Sequence, residues 1–221
     1  MRTKGPLLTL LAVVVLALIL LAVNITTKTD GATAPTAGSP TSGAASPAPA
    51  QAAPPADAGT PIPAQARYTG KTSGRGAGEA SVAVAVKDGK ASAYLCDGKK
   101  LESWLSGRVQ GSSVDLTGKN GARLTGTYQD GRLTGNVTVD GQSWSFSAIP
   151  SRSPAGVYRA RKGTADAGWI VYPDGSQTGV QNIGGQAGPA PALDPASGSA
   201  VLGGATVPVQ TIEGGDEAVG G

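Results

Sequence analysis

The sequence predicts an all-β fold: a small antiparallel meander of about ten short strands, closed as a barrel or a sandwich, behind one transmembrane helix and a disordered stalk. Three observations predict it. Six turn dipeptides punctuate residues 66–184, often nine to ten residues apart: Asp88-Gly89, Asp97-Gly98, Asn120-Gly121, Asp130-Gly131, Asp140-Gly141 and Asp174-Gly175. Such pairs supply the positive φ angles that tight hairpins need. Val82, Val84 and Val86 alternate with Ala83 and Ala85, the period of a strand, and no helical period runs through that segment.

The elements follow in order. Residues 1–6 carry Arg2 and Lys4, which by the positive-inside rule places them in the cytoplasm. Residues 7–25 hold the uncharged run LLTLLAVVVLALILLAV and end at Ile25. As a helix this segment rises about 28 Å, enough for a bilayer core. It exceeds the roughly 7–15 residues of a cleavable signal's apolar region. The first Ala-x-Ala spelling, Ala32-Thr33-Ala34, lies far beyond it, which favours an uncleaved signal-anchor. No cysteine follows the run, so a lipoprotein anchor is excluded.

Residues 26–65 read as a Pro/Ala-rich stalk. From Gly31 to Gln65 there are eight prolines and one charge, Asp57. Pro-Ala-Pro and Pro-Ile-Pro favour extended polyproline II, and the segment holds too little apolar surface to offset its ordering entropy. At about 3.1 Å per residue it can hold the following domain up to roughly 100 Å from a membrane.

Residues 66–184 form the predicted all-β extracytoplasmic domain. A two-residue turn at Asp88-Gly89 sets Val86 opposite Ala91, Val84 opposite Ala93 and Val82 opposite Leu95, with all six on one buried face; a bulged turn makes a poorer core. Further strands are expected at Leu101–Val109, Ser113–Thr117, Ala122–Gln129, Leu133–Val139, Ser143–Ala148, Gly156–Arg161, Trp169–Tyr172 and Gln177–Ile183. Trp104, Trp144, Phe146, Tyr158 and Trp169 are the expected large core residues. Gly74-Arg75-Gly76-Ala77-Gly78 reads as a flexible lead-in, since no Gly-Lys-Ser/Thr follows it to make a phosphate loop. Residues 185–221 read as an acidic, mostly disordered Gly/Pro/Ala tail, with one short hairpin turning at Gly203-Gly204.

Composition limits the chemistry. The 221 residues contain no histidine and one cysteine. This excludes a His-dependent triad, a His-ligated metal and an internal disulfide. No lysine lies three residues after a serine, so the Ser-x-x-Lys motif is missing. Cys96, without a histidine, reads as a small, partly buried hydrophobe, with redox activity or pairing between chains as the alternative. A pair of carboxylates would suffice for a hydrolase. Five of the domain's acids sit in turn dipeptides, which leaves Glu102 and Asp115 as the least explained. The expectation is a non-enzyme without cofactor or metal.

Charge is the more informative signal. Residues 67–184 carry +6 and residues 185–221 carry −4. Arg152, Arg159, Arg161 and Lys162 form the densest basic cluster, the candidate site for an anionic wall polymer or lipid headgroup. Nucleic acid is not expected as a partner outside the membrane.

Four stretches carry a family resemblance: Tyr94-Leu95-Cys96-Asp97-Gly98, Gly156-Val157-Tyr158-Arg159-Ala160, Gly168-Trp169-Ile170-Val171-Tyr172-Pro173-Asp174-Gly175 and Pro191-Ala192-Leu193-Asp194. With them, the layout resembles membrane-anchored extracytoplasmic proteins of unknown function from high-GC Gram-positive (actinobacterial) bacteria. The resemblance spans roughly residues 66–200. It implies a single-pass protein of the cell membrane with its C-terminal domain outside, and it brings no catalytic residues to carry over. The function expected from these readings is a non-catalytic binding or structural module of the cell envelope. The alternatives are a carboxylate-dependent envelope hydrolase and a small-molecule-binding barrel.

Overall fold

The computed structural model describes residues 59–74 and 78–216. The expected transmembrane segment, residues 7–25, and the stalk up to residue 58 lie outside the described residues. Among the described residues no helix is long and apolar enough to cross a membrane.

Eight antiparallel strands close into a barrel: β1 (Gln65–Ser73), β2 (Ser81–Lys87), β3 (Lys90–Cys96), β4 (Glu102–Gln110), β5 (Ser113–Gly118), β6 (Arg123–Gln129), β7 (Arg132–Val139) and β8 (Gln142–Ser151). Each strand pairs with the next, and β1 pairs with β8. The turn dipeptides set this register. Asp88-Gly89, Asn120-Gly121, Asp130-Gly131 and Asp140-Gly141 all take positive φ at both residues, as mirror-image hairpin turns require. The β2–β3 hairpin has the expected register, with Val86 opposite Ala91, Val84 opposite Ala93 and Val82 opposite Leu95.

Those six side chains, with Tyr68, Leu105, Leu116, Leu124, Leu133, Trp144 and Phe146, fill the barrel interior. Closure brings backbones close together where a side chain would not fit. A Cβ on Gly70 would lie 2.1 Å from the Ser147 carbonyl oxygen, and one on Gly135 would lie 2.0 Å from that of Thr125. Glycine inside a strand marks such close approach.

The remaining strands form two further layers rather than more of the barrel. A five-stranded sheet has the order β12 (Gln186–Pro189), β11 (Gln177–Ile183), β10 (Ala165–Val171), β9 (Gly156–Lys162), β16 (Gln210–Ile212). A three-stranded sheet follows the order β13 (Leu193–Asp194), β14 (Ser199–Leu202), β15 (Ala205–Pro208). Residues alternate between the two faces of β9 and β10. Val157, Ile170, Val180 and Ile212 pack on Ala83, Tyr94 and Cys96 of the barrel's outer wall. Tyr158, Ala167, Trp169 and Val171 pack on Leu193, Ala200, Leu202 and Val207 of the small sheet.

The single meander of ten strands over residues 66–184 thus resolves into a barrel over residues 65–151 and a separate stacked sheet. Residues 186–212, expected as mostly disordered, form five strands instead. The physical reason is tertiary. Leu193, Leu202, Val207 and Ile212 are too sparse to make a core alone, but each is buried against the five-stranded sheet or the barrel wall. The hairpin turning at Gly203-Gly204 is present as β14–β15. Of the five expected large core residues, Trp144, Phe146, Tyr158 and Trp169 are buried, and Trp104 is half-buried at the barrel–sheet seam.

Candidate functional site

Two clefts flank the barrel at opposite rims, because antiparallel pairing sends the starts of β2 and β4 to one rim and their ends to the other. The larger, about 590 Å³, opens between the first rim and the β9–β10 hairpin. Glu102 and Trp104 come from the outer face of β4, Lys119 and Asn120 from the β5–β6 turn, Arg159 and Arg161 from β9, and Asp166 from β10. The β4 side chains face the sheet because their neighbours, Ser103 and Leu105, point into the barrel; Leu105 is fully buried there.

The charged groups of this cleft are largely engaged with one another. Arg159, buried, donates through Nε to Asp166 Oδ1 at 3.0 Å and through Nη2 to Asp166 Oδ2. Its guanidinium carbon lies 4.5 Å from the Trp104 ring centroid, a stacking geometry suited to a desolvated cation. Arg161 Nε lies 3.4 Å from the same Asp166 carboxylate. On the barrel side, the Tyr94 hydroxyl donates to Glu102 Oε2 at 2.9 Å, with the Gly168 carbonyl oxygen 3.3 Å from it. The Tyr94 ring packs on Trp104 with centroids 4.2 Å apart.

Burial raises the Glu102 carboxyl above its ordinary range, and neighbouring Asp166 adds to the rise; Tyr94 and Arg159 oppose it. Burial also raises the Tyr94 hydroxyl, so it stays a donor. The free Cys96 thiol is pushed up to about 11, by burial foremost. Among the described residues no group of three or more Cys, Asp or Glu is placed to hold a metal ion.

The four basic residues of the sequence cluster do not share one face. Arg159 and Arg161 line the larger cleft. Lys162 is exposed at the end of β9, on the opposite face of the strand from Arg159 and Arg161 and outside the lining of that cleft. Arg152 precedes β9 and stands at the opposite rim, roughly 20 Å away along a seven-residue strand. Glu102 and Asp115 do not meet either. Asp115 lies on β5, exposed and bound by Arg123 through Nε at 3.1 Å and Nη2 at 2.7 Å. Sequence reasoning missed Asp166 as the partner that joins Arg159, Arg161 and Glu102. Only the β9–β10 register, Asp166 opposite Arg161, brings it there.

No protein-family model, curated protein or solved structure matches this chain. The functional reading therefore rests on the clefts.

The smaller cleft, about 270 Å³, is lined at the second rim by Arg67, Lys87, Arg152, Ser153 and Glu213 among others. Glu213 Oε2 accepts from Lys87 Nζ at 2.5 Å, and Glu213 Oε1 lies 3.5 Å from Arg67 Nη2. The Lys87 hydrogen bond and charge, and then Arg67, lower the Glu213 carboxyl from its ordinary range.

Proposed function

We propose that this chain is a non-catalytic binding module of the cell envelope, held outside the membrane by its N-terminal apolar segment and Pro/Ala stalk. Its larger cleft takes a segment of an anionic wall polymer. The observation that carries this reading is the lining of that cleft. An indole edge (Trp104) and hydrogen-bonding side chains (Asn120, Thr164, Asn182) stand beside the cations Lys119 and Arg161. An apolar edge with a few placed polar groups suits polyhydroxylated ligands, and the rim cations suit their acidic substituents.

Arg159 contributes little to anion capture, since Asp166 already neutralises it. Binding should therefore depend on Lys119 and Arg161, with a salt dependence of about two charges. The test is binding of a purified uronic-acid-bearing wall polymer by the full chain and by its Lys119→Gln/Arg161→Gln variant, with a neutral glycan as control. Weaker, less salt-sensitive binding by the variant supports the reading. Equal binding of the acidic polymer by both proteins sinks it.

A second reading has one observation in its favour. Glu102 combines partial burial, a raised carboxyl and a place beside Asp166 in the same cleft, and a general acid needs such an environment. A carboxylate-dependent hydrolase would release reducing ends from wall glycans and lose that activity in Glu102→Gln. A binding module would show no turnover in either protein.

A further inference from the structure

We propose that the smaller cleft is a phosphate-group site, distinct from the polymer cleft, and that Glu213 is its built-in occupant. Three cations, Arg67 from β1, Lys87 from the end of β2 and Arg152 from the turn after β8, converge on about 270 Å³. One carboxylate of the lining, Glu213, answers them directly, while the charges of Asp88 and Asp216 act more weakly on Lys87. Lys87 and Arg67 share Glu213, while Arg152 has no ion-pair partner among the described residues. The lining therefore holds two positive charges in excess, matching a phosphate dianion.

Guanidinium forks recognise oxyanions, and the present occupant is itself an oxyanion. The site has room for Arg67 because β9 begins with a glycine. Gly156 has φ 153°, and a Cβ there would lie 3.3 Å from the Arg67 Cδ.

Glu213 is presented rather than dangling. Its segment is fixed by Ile212, paired with Val157 and fully buried. Gly214 sits so close to the β2–β3 turn that a Cβ would lie 2.2 Å from Lys87 N and 2.4 Å from the Lys90 carbonyl oxygen. The Gly215 N–H donates to Ser92 Oγ at 3.1 Å, and the Glu213 N–H donates to Asp216 Oδ2 at 2.7 Å. The backbone is held while the Glu213 side chain, 40% exposed, can rotate away. A phosphate group would then take Lys87 and Arg67 from Glu213 and engage Arg152, with the Ser153 hydroxyl on the same wall. The tethered carboxylate sets a threshold concentration for that exchange.

The test uses the full chain in neutral detergent, titrated calorimetrically with inorganic phosphate at constant ionic strength. Glu213→Gln should tighten phosphate binding about tenfold, the effect of removing one charge about 5 Å from the anion in a half-solvated site. Arg152→Gln should weaken it about tenfold. Arg152 is exposed and unpaired, so this variant keeps its fold, which an unchanged melting temperature verifies. Doping the micelles with phosphatidic acid distinguishes the source of the phosphate. A lipid headgroup would compete and lower the apparent phosphate affinity, whereas a soluble ligand's site would leave it unchanged. No saturable phosphate binding by Glu213→Gln, or parent-like binding by Arg152→Gln, overturns the proposal. Neither result bears on the polymer cleft at the other rim.

Discussion

Replacing Ile212 by alanine tests whether the C-terminal segment is part of the folded body. Ile212 is fully buried between the five-stranded sheet and the barrel wall, beside Val157, Ile170 and Ala83. The substitution removes three carbons, worth about 0.8 kcal/mol each by transfer. It also leaves a cavity, which brings the expected loss to roughly 3–4 kcal/mol. The ion pairs of the next residue make a useful contrast. Glu213 and Lys87 side chains are 40% and 45% exposed, and exposed pairs contribute at most about 1 kcal/mol. Burial, not charge, should hold the segment. Urea unfolding of the full chain should show a lower midpoint for Ile212→Ala with an unchanged slope. The melting temperature should fall by about 8–12 °C, against 2–4 °C or less for Glu213→Gln. A loss under about 1 kcal/mol in Ile212→Ala, or a larger loss in Glu213→Gln, would refute docking by burial.

The other expectations follow the same geometry. Gly168→Ala should cost about 3 kcal/mol and perturb the near-ultraviolet dichroism of the Tyr94–Trp104 pair, because its Cβ would lie 2.5 Å from Trp104 Cζ2 and 2.6 Å from Tyr94 Cζ; a neutral effect contradicts the tight seam. For Glu102, the folded carboxyl is raised, so its contribution is favourable below the ordinary value of 4.5 and is lost as pH rises through the folded value. Glu102→Gln should therefore gain stability over the parent at neutral pH and lose that advantage below pH 4.5; a pH-independent difference would show that burial does not govern this carboxyl. Cys96, buried with a thiol pushed up to about 11, should resist iodoacetamide at pH 8 until the chain is unfolded, and rapid labelling of the folded chain would count against its burial. Asp115→Ala should cost less than about 1 kcal/mol, since its bond to Arg123 is exposed, and a larger loss in denaturant melts would give this pair a role the surface geometry does not.

The hairpins were legible because their signal is local. Asp130-Gly131 and Asp140-Gly141 dictate turns wherever they occur, and β6, β7 and β8 lie within a few residues of their expected bounds. Strand β1 was not legible. Its inward positions are Ala66, Tyr68, Gly70 and Thr72, so only one large apolar residue marks the inner face. The glycine needed for contact with β8 reads in sequence as a strand breaker. The site was half legible. Basic residues at 159 and 161 announced a shared face, two apart on a strand, whereas Arg152 is near them in sequence alone. Asp166 carries no local signal of its role, because its partners are fixed by a pairing that only the β9–β10 turn at residues 163–164 defines.

The stacked sheet has a cause that can be read backwards from β2 and β3. Six consecutive residues of each strand are buried, which no barrel strand with a solvated outer face would show. Their inner faces carry Val82, Val84, Val86 and Leu95. Their outer faces carry Ala83, Ala85, Tyr94 and Cys96, small or aromatic residues that leave room for another layer and gain little in water. The alternation of valine with alanine, read first as one apolar face and one lesser face, marks two interfaces of different depth. The layer on the outer face is itself buried on both sides at β10, so it needs a third layer, and the chain after residue 184 supplies it. Its short strands, joined by glycine-containing turns, fill the shallow space over Trp169 and Tyr158 rather than build a core of their own. Composition that reads as disorder in isolation is the composition of a thin covering layer once a broad apolar sheet precedes it. The acidic Glu213 reaches the basic second rim because β16 starts at Gln210, just after the β14–β15 hairpin, and pairs with β9 so that Ile212 returns to the barrel wall opposite Val157.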